Sequence, residues 1–375
     1  MLLSGCPLVH YKQAITTVYH NDRVMVSMKV RVFLNIFIAV LVVLLATEIL
    51  VRTLIISPSA ALPDPELGWK YRPHSEIFHT VEGFSRHRLN SLGFNDEEPG
   101  TKQKQHLVLA LGDSFTEAFQ VDRQDNFTSI AEMLLPCVDI FNAGRSGLTL
   151  TQYPIIAARL KSKIHFERVV LFLTAGDIQD IEHQNLRKTY DPKNGRLIDI
   201  NIIVKKSSWL KQALWPIFEH SAFATYMKNR FKALDLKADN FFPWPTISVV
   251  EKNSQVKSEN DEIEIVDFIL KEMQENYKIN ILFIPTFDYL PSHKTVEREV
   301  SLKARHIFKN QADKLEIEFH SVNILGEIFK NGGNPPVGFA NKDILKGHLN
   351  KKGHMLVGKA LAKELSIDCS NTAVN

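Results

Sequence analysis

A nearly uninterrupted apolar run close to the N-terminus constrains the chain before anything else. Residues Val32–Thr47 (VFLNIFIAVLVVLLAT) contain only Asn35 and the final threonine as polar members. Counted from Val30 to Leu50, the run has about 21 residues, which at about 1.5 Å per residue in a helix match the roughly 30 Å of a bilayer's hydrocarbon core. The sequence therefore predicts one membrane-spanning helix followed by a separate domain.

Basic residues predict the orientation of this helix. Lys29 and Arg31 precede most of the run, whereas Arg52 is the only basic residue close behind it. Because Lys and Arg are enriched on the cytoplasmic side, we expect residues 1–28 in the cytoplasm, an anchor over 29–51, and the bulk of the chain outside.

A cleaved signal peptide is the competing interpretation of the same run. Cleavage needs small residues soon after the apolar stretch, and the nearest such stretch, Ser59–Ala61, lies well beyond it. The uncleaved anchor is therefore favoured. The residues before the run lack a packing pattern, and Met25 and Met28 are each candidate starts, so no function is assigned to them.

Charge and cysteine content argue against several partners. The 375 residues hold 45 Lys plus Arg against 42 Asp plus Glu, a formal net charge of +3, which is too small to indicate nucleic-acid binding. Cys6, Cys137 and Cys369 lie far apart without a CxxC, so neither a disulfide framework nor a cysteine zinc site is indicated. We expect no metal and no other cofactor.

Behind the anchor, short apolar segments alternate with amphipathic ones. Such brief apolar runs suit strands that are covered on both faces, and they are Leu107–Leu111, Val138–Phe141, Val169–Leu173, Ile279–Ile284 and Ile317–His320. Helical spacing is found in Phe127–Leu135, Thr149–Lys161, Ile263–Glu275 and Leu302–Gln311. This βαβ pattern predicts an α/β fold with a parallel sheet.

Two segments depart from the alternation. Residues 52–105 are rich in Pro, Gly, Asn and charge, which predicts an irregular strap with short strands, or a plain linker. Residues 181–261 lose periodicity and carry aromatic clusters such as Phe241–Trp244, which predicts an insertion whose end, residues 251–261, is an exposed loop. The predicted boundaries are 1–28, 29–51, 52–105, 106–368 and 369–375.

The first motif with catalytic potential follows the first core strand. In Leu107–Thr116 (LVLALGDSFT) the strand breaks at Gly112 and leaves Ser114 at the next turn, where parallel sheets place reactive groups and exposed N–H donors. A serine hydroxyl is a poor nucleophile without a base within hydrogen-bond reach. Taken alone, Gly112-Asp113-Ser114 is better interpreted as an ordinary turn and helix cap.

A glycine-containing loop follows the second strand. In Ile140–Gly147 (IFNAGRSG) the glycines allow the backbone to approach a ligand closely, and its N–H groups could bind an oxyanion. Taken alone, it is a loop with two glycines.

A histidine precedes the last predicted helix. His348 stands in Gly347–His354 (GHLNKKGH), directly before Met355–Leu365, and His is the side chain best suited to take a proton near pH 7. His354 is interpreted as solvated. A metal site made from these two histidines is poorly supported, because no carboxylate or third His stands at ligand spacing.

In this order and at these positions, the three motifs resemble the SGNH (GDSL-type) hydrolase superfamily over most of Leu107–Leu365. The strap is similar to that of membrane-anchored bacterial members, which carry D-P-E-L-G-W and N-S-x-G-F before the first strand, here Asp64–Trp69 and Asn90–Phe94. The resemblance implies a flavodoxin-like, three-layer α/β/α domain and a serine esterase that works through an acyl-enzyme. It further implies a bacterial inner-membrane protein with its domain in the periplasm or outside.

The resemblance also assigns roles to residues. Ser114 is the nucleophile, and its own N–H joins that of Gly147 in the oxyanion hole. His348 is the general base that later protonates the leaving group. The residues that support these loops are Gly112, Asp113, Asn142 and Gly144.

The sequence departs from the family pattern after the third strand. The family places an oxyanion-donating Asn there, whereas this chain reads Leu173–Asp180 (LTAGDIQD), with Ala175 or Gly176 at that place. Thr174 or Gln179 are the candidate substitutes. Loss of one such donor costs about 10²- to 10³-fold in rate.

A second departure concerns the carboxylate that orients the histidine. The family's Asp stands two or three residues before the His, where this chain has Leu345 and Lys346. Asp343 is the nearest carboxylate, and it can serve only if the loop doubles back. The alternative is a Ser114–His348 pair that works unaided.

Two classes of function fit these residues. The first is an anchored, extracytoplasmic esterase that removes O-acyl groups from envelope carbohydrate, or an O-acetyltransferase if a sugar hydroxyl reaches the acyl-enzyme before water. The second is a catalytically impaired glycan-binding or assembly protein that uses the aromatic insertion, motivated by the missing Asn and Asp. Retention of Ser114, Gly147 and His348 favours the enzyme.

Overall fold

A computed structural model describes residues 8–54, 60–102, 104–183, 186–203, 209–233, 258–367 and 369 of the chain. Two units are distinguished, Met1–Ile55 and Ile56–Asn375. The described residues of the first unit form helix α1, Leu8–Leu54. Within it, Lys29–Thr53 is long and apolar enough to cross a membrane, with a mean hydropathy of 2.7.

Helix α1 differs from the prediction in where it begins. Residues 8–28, for which no packing pattern was seen, continue the same helix towards the N-terminus, and residues 1–7 lie outside the described part of the chain. Apolar side chains such as Phe33 and Val43 are 72% and 63% exposed. A contiguous exposed apolar surface of this kind marks a membrane or interaction surface.

The second unit begins with two β-hairpins in the segment predicted as a strap. Strands β1 (Ala61–Asp64) and β2 (Gly68–Tyr71) pair antiparallel, as do β3 (Glu76–His79) and β4 (Ser85–Arg88). The Asp64 carboxylate accepts the N–H groups of the first turn and forms a two-pronged pair with Arg159 at 2.9 Å. These contacts fix the first hairpin to the domain, so the segment is not a free linker.

The core of the second unit is a five-stranded parallel sheet with the strand order β13-β10-β7-β5-β6. All five predicted strands are present, as β5 (His106–Gly112), β6 (Val138–Asn142), β7 (Arg168–Leu173), β10 (Ile279–Phe283) and β13 (Glu318–Ser321). Two antiparallel hairpins lie between core strands along the chain. Strands β8 (Leu186–Tyr190) and β9 (Leu197–Ile202) come between β7 and β10, and strands β11 (Phe287–Leu290) and β12 (Lys294–Glu297) come between β10 and β13.

Alternate residues of each core strand face opposite layers of helices, as the period of two in a strand requires. Leu109 and Leu111 pack in one buried cluster with α4 (Tyr153–Lys161), α5 (Ala175–His183), α8 (Glu259–Asn276) and α9 (Glu299–Lys314). Val108 and Ala110 pack in the other with α3 (Phe127–Leu134), α10 (Ile324–Lys330) and α11 (Lys351–Leu365). The predicted three-layer α/β/α fold is thereby confirmed.

The predicted insertion contains regular structure where it is described. After the β8–β9 hairpin come helices α6 (Trp209–His220) and α7 (Ala222–Ala233). The aromatic stretch Phe241–Trp244 lies outside the described residues. Part of the predicted loop 251–261 is wrong, because Ser258 caps α8 by accepting the N–H of Asp261, and the helix begins at Glu259. Residues 251–257 are not among those described.

A disulfide joins Cys137 to Cys369, with 5.4 Å between their Cα atoms. The expectation that the cysteines form no disulfide is therefore wrong. Cys137 directly precedes β6, and Cys369 follows α11, so the bond ties the start of an edge strand to the end of the last helix. The two residues are 232 positions apart, and no local spacing could have indicated the pair.

Candidate active site

Ser114 lies just past the carboxyl end of strand β5, which stands between β7 and the edge strand β6. It opens the one-turn helix α2 (Ser114–Glu117), and Asp113 caps that turn because its Oδ1 accepts the N–H of Phe115 at 2.8 Å. Helix α2 packs closely against the end of β6: an added Cβ at Gly144 would lie 2.4 Å from the Glu117 nitrogen. An added Cβ at Gly112 would lie 2.0 Å from Thr116 Oγ1.

The structure brings Ser114 and His348 together. The His348 Nε2 atom lies 2.8 Å from the Ser114 Oγ atom, although 234 positions separate the residues. The imidazole packs beside Phe115, with 5.0 Å between ring centroids, and the His348 side chain keeps 26% exposure. This separation is within the reach that a general base needs to accept a hydroxyl proton.

The other ring nitrogen of His348, Nδ1, contacts Glu82, which lies in the turn between β3 and β4. The Glu82 Oε2 atom lies 2.7 Å from Nδ1 and accepts the His348 backbone N–H at 3.0 Å. Burial alone would raise the pKa of Glu82, but the hydrogen bonds and charge of His348 hold it at about 2. Since a carboxylate only accepts, Nδ1 carries the hydrogen, and the Nε2 lone pair faces Ser114.

Asp343 is not the carboxylate that contacts His348, and this prediction is corrected. The Asp343 Oδ1 atom accepts the N–H of Leu345 at 2.8 Å, within its own loop. The Nδ1 position belongs to Glu82, which stands 266 positions before His348. Sequence reasoning missed Glu82 because it lies in the segment interpreted as a strap, in a polar turn without a motif of its own.

The turn that carries Glu82 is held from two other parts of the domain. Asn341 accepts the N–H of Gly83 at 2.8 Å and donates to the carbonyls of Gly83 and Thr80. Arg230 of α7 donates to the Thr80 hydroxyl at 2.7 Å.

Gly347 has φ +99°, and an added Cβ there would lie 2.8 Å from Glu82 Oε2. Its missing side chain is what lets Glu82 approach His348.

The loop after β6 is fastened to α2 by Asn142. The Asn142 Nδ2 group donates to the Thr116 carbonyl at 2.7 Å, and Oδ1 accepts the Gly144 N–H at 2.9 Å. A turn follows, in which Leu148 N–H donates to the Arg145 carbonyl at 3.0 Å and Gly147 has φ +72°, as the third position of a type II turn requires.

Two N–H groups at this edge of the sheet are free to bind a ligand atom. Neither the Ser114 N–H nor the Gly147 N–H donates to a protein acceptor within the described part of the chain. Ser114 stands two residues after the end of β5 and Gly147 five residues after the end of β6, and these two strands are neighbours in the sheet. Free N–H donors beside a nucleophile are what an oxyanion requires.

At Ala175 and Gly176, where SGNH hydrolases would carry an Asn, this chain has no amide side chain. Gly176 lies in the first turn of α5, and its N–H donates to Thr174 Oγ1 at 3.1 Å. The Thr174 hydroxyl in turn donates to Asp113 Oδ2 at 3.2 Å. Thr174 therefore supports the residue before Ser114, and Gln179 lies one turn further along α5.

His354 is not solvated, contrary to the prediction. It is 1% exposed, lies in α11, and stacks on Phe127 with 5.6 Å between ring centroids. Burial, together with the charge of His348, lowers the pKa of His354 to about 3. No cluster of three or more His, Cys, Asp or Glu suited to a metal ion occurs among the residues that the structure describes.

Comparison with solved structures gives matches among GDSL-type lipolytic proteins and acetylesterases. A catalytic mutant of the acetylxylan esterase Axe2 from Geobacillus stearothermophilus has 12% identity and a TM-score of 0.36, covering 71% of this chain and 96% of that one. Est24, a carbohydrate acetylesterase from Sinorhizobium meliloti, has 14% identity and a TM-score of 0.32, covering 70% and 98%. A G-D-S-L family lipolytic protein from Veillonella parvula has 13% identity and a TM-score of 0.35, covering 70% and 100%.

These identities and TM-scores are too low to say what this chain does. No protein-family model matches the chain, and no curated protein sequence matches it.

Proposed function

We propose that this chain is a membrane-anchored, extracytoplasmic serine esterase of the SGNH type that works through an acyl-enzyme. The observation that carries the proposal is the continuous contact from Glu82 through His348 to Ser114, at 2.7 and 2.8 Å. A nucleophile in contact with a base, itself oriented by a third group, is the signature of covalent catalysis. The carboxylate that the sequence lacked beside His348 is supplied by Glu82.

The reaction follows from this arrangement. Ser114 Oγ attacks the ester carbonyl carbon while its proton passes to His348 Nε2, and Glu82 stabilises the resulting imidazolium. The tetrahedral oxyanion accepts the N–H groups of Ser114 and Gly147. The intermediate expels the alcohol, which takes the proton from Nε2. Water, deprotonated by His348, then attacks the acyl-Ser114 ester. The bond to Ser114 Oγ breaks, Oγ takes the proton from Nε2, and the acid is released.

The proposed substrate is an O-acyl group, such as acetyl, on envelope carbohydrate. Phe84 supports this proposal, because its ring is 70% exposed beside the turn that carries Glu82, and exposed aromatic rings offer an apolar face to a sugar. If a sugar hydroxyl replaces water in the second step, the same residues transfer the acyl group. Release of free acetate, measured with and without an added oligosaccharide, separates hydrolysis from transfer.

Two observations support the proposed location. The apolar segment Lys29–Thr53 fits an inner-membrane anchor, and the Cys137–Cys369 disulfide fits an oxidising compartment such as the periplasm. The location is tested by cell fractionation, in which the chain should require detergent for release. Recovery in the soluble fraction after cell breakage would contradict the anchor.

The esterase is tested on the full chain in detergent micelles. A fluorophosphonate probe should label the wild type and fail to label Ser114→Ala, and aryl acetate turnover should be lost with the label. Ser162→Ala is the control, because this exposed serine stands at the end of α4 and its hydroxyl donates to a carbonyl of its own helix. An unlabelled wild type would favour the alternative, a binding or assembly protein on the same fold.

A further inference from the structure

We propose that Glu117 is a positioning residue, which holds Ser146 so that the neighbouring Gly147 presents its N–H to the oxyanion. This inference rests on the proposed esterase function. It concerns a carboxylate that the mechanism itself does not use. Glu117 closes helix α2, three residues after Ser114, and is 1% exposed.

The contacts of Glu117 reach the loop after β6 directly. We call residues 143–148 of this loop the oxyanion loop. Its Oε1 atom accepts the backbone N–H of Ser146 at 3.0 Å, and its Oε2 atom is hydrogen-bonded to the Ser146 hydroxyl. Ser146 immediately precedes Gly147 in the turn that Leu148 closes on Arg145. The carboxylate therefore ties the helix of the nucleophile to the second position of the turn whose third position is Gly147.

The strap provides further support for the same carboxylate. The Tyr71 hydroxyl, from β2, donates to Glu117. Arg145 compensates its charge, donates to the Trp69 carbonyl, and lies 4.6 Å over the Trp69 ring. Glu117 thus joins α2, the first hairpin and the oxyanion loop.

The donors around Glu117 explain why an acid stands here. The Ser146 N–H, the Ser146 hydroxyl and the Tyr71 hydroxyl all converge on its two oxygens. A carboxylate only accepts, so it can satisfy all three, whereas an amide would turn its NH₂ group towards a donor. Leaving a buried donor without an acceptor is more costly than losing a balanced pair. A Gln at this position should therefore break one of the two hydrogen bonds that hold Ser146.

The consequence for catalysis should appear in the transition state. A peptide with a glycine at φ +72° reorients easily once its neighbour is free. An N–H that no longer faces the oxyanion is equivalent to a lost oxyanion donor, which costs about 10²- to 10³-fold in kcat. Ground-state binding of the ester does not use this N–H, so KM should change little.

The decisive variant is Glu117→Gln in the full chain in detergent. We expect kcat for an aryl acetate to fall about 10²-fold, with an essentially unchanged KM. Inhibition by an aryl boronic acid, whose Ser114 adduct carries a tetrahedral oxygen anion, should weaken in parallel with kcat. Ser146→Ala removes only the hydroxyl contact and should lower kcat by about fivefold, which is the equivalent of the about 1 kcal/mol that one hydrogen bond is worth.

Tyr71→Phe is the matched control. It removes a buried hydrogen bond to the same carboxylate but leaves both Ser146 contacts in place, so it should lower Tm and leave kcat and boronate inhibition near wild type. The inference is overturned if Glu117→Gln keeps the wild-type kcat, or if Tyr71→Phe loses as much kcat as Glu117→Gln. If Glu117→Gln fails to fold, Ser146→Ala decides, and a wild-type kcat in that variant overturns the inference. A wild type that neither turns over esters nor labels at Ser114 refutes the proposed function itself.

Discussion

The protonation pattern of His348 is set by a single residue, Glu82. Because its carboxylate is ionised and accepts from Nδ1, the imidazole keeps a lone pair on Nε2 towards Ser114. In the proposed mechanism, the same carboxylate stabilises the positive charge that forms on the ring during attack. In the proposed esterase, the catalytic competence of Ser114 would thus depend on a residue in the second hairpin of the strap.

We predict that Glu82→Gln lowers kcat for an aryl acetate by about 10²- to 10⁴-fold, because the amide cannot stabilise the imidazolium and permits the wrong tautomer. Steady-state kinetics on the full chain measures it. Asp343→Asn is the matched control, since it makes the same chemical change in the His348 loop and should leave kcat within about threefold, as removing one exposed contact usually does. Equal losses in the two variants would contradict the assignment of Glu82.

We predict that Gly176→Asn raises kcat by about tenfold or more, because it supplies the amide donor that the site lacks. An added Cβ would lie 3.1 Å from Thr174 Oγ1, a tight contact that requires a small shift of that hydroxyl, and 3.9 Å from Asp113 Oδ2. Gly176→Ala controls for the backbone effect and should not accelerate the reaction. An Asn variant no faster than the Ala variant would show that the amide does not reach the oxyanion.

Site residues that stand in local sequence motifs were predictable, and those placed by tertiary packing were not. Ser114 and His348 stand in local motifs at the end of a strand and before a helix, and the parallel topology brings those places together. Glu82 has no such local pattern, because its role arises only when the strap packs on the His348 loop. His354 was misplaced because its burial depends on the packing of α11 against Phe127, which its neighbours in sequence do not reveal.

At the level of elements, the strap also protects the exposed edge of the sheet. Strand β6 is an edge strand, and unpaired edges invite association. The outward N–H of Asn142 donates to Asp96 Oδ2, and that of Ile140 donates to Glu132 Oε1, both at 2.7 Å. Lys102 pairs with both carboxylates. The strap residues Asp96 and Lys102 therefore complete the sheet that positions the oxyanion loop.

The core strands and their helices were predictable because each shows its own periodicity over several residues. Strand β10, for example, is buried at every position from Ile279 to Phe283, as a strand covered on both faces requires. The hairpins of the strap were predictable only as irregular structure, since four-residue strands with mixed burial carry little pattern. The disulfide was unpredictable for the same reason as Glu82.

We predict that Cys369→Ser lowers the free energy of unfolding by about 2–5 kcal/mol, because the disulfide closes a long loop in the unfolded chain. Activity at 25 °C should persist, since the bond lies where β6 begins, whereas Ser114 and Gly147 follow the ends of β5 and β6. Urea unfolding of the oxidised and reduced wild type measures the effect. Reduction should bring the wild type to the stability of the variant, and an unaffected wild type would contradict the bond.

At the scale of the whole molecule, we predict that His354 makes the protein sensitive to mild acid. Its pKa is about 3 when folded, against 6.5 for the unconstrained side chain, so the unfolded chain binds a proton below pH 6.5 that the folded chain refuses. Stability contributed by neutral His354 is complete above pH 6.5 and is lost as the pH falls towards 3. The loss is at most about 1.4 kcal/mol per pH unit.

Urea unfolding at pH 7, 6 and 5 measures this loss, and a variant that retains Glu82 carries the same contribution from that carboxyl. His354→Gln is the control, because Gln stays neutral and can still accept the Phe127 N–H that His354 Nδ1 accepts at 3.4 Å. The wild type should lose more stability than the variant between pH 7 and 5. Parallel curves would show that His354 does not couple folding to pH.

The distance along the chain between Glu82 and His348 affects when activity can first appear during biosynthesis. Glu82 leaves the ribosome early, but its partner follows 266 residues later, and α11 and Cys369 come later still. In the proposed enzyme, a nascent or truncated polypeptide would therefore have Ser114 without an oriented base and would be inert towards esters. In a translocated chain, ester chemistry would begin only after nearly the whole polypeptide has crossed the membrane, which spares cytosolic metabolites from hydrolysis during export.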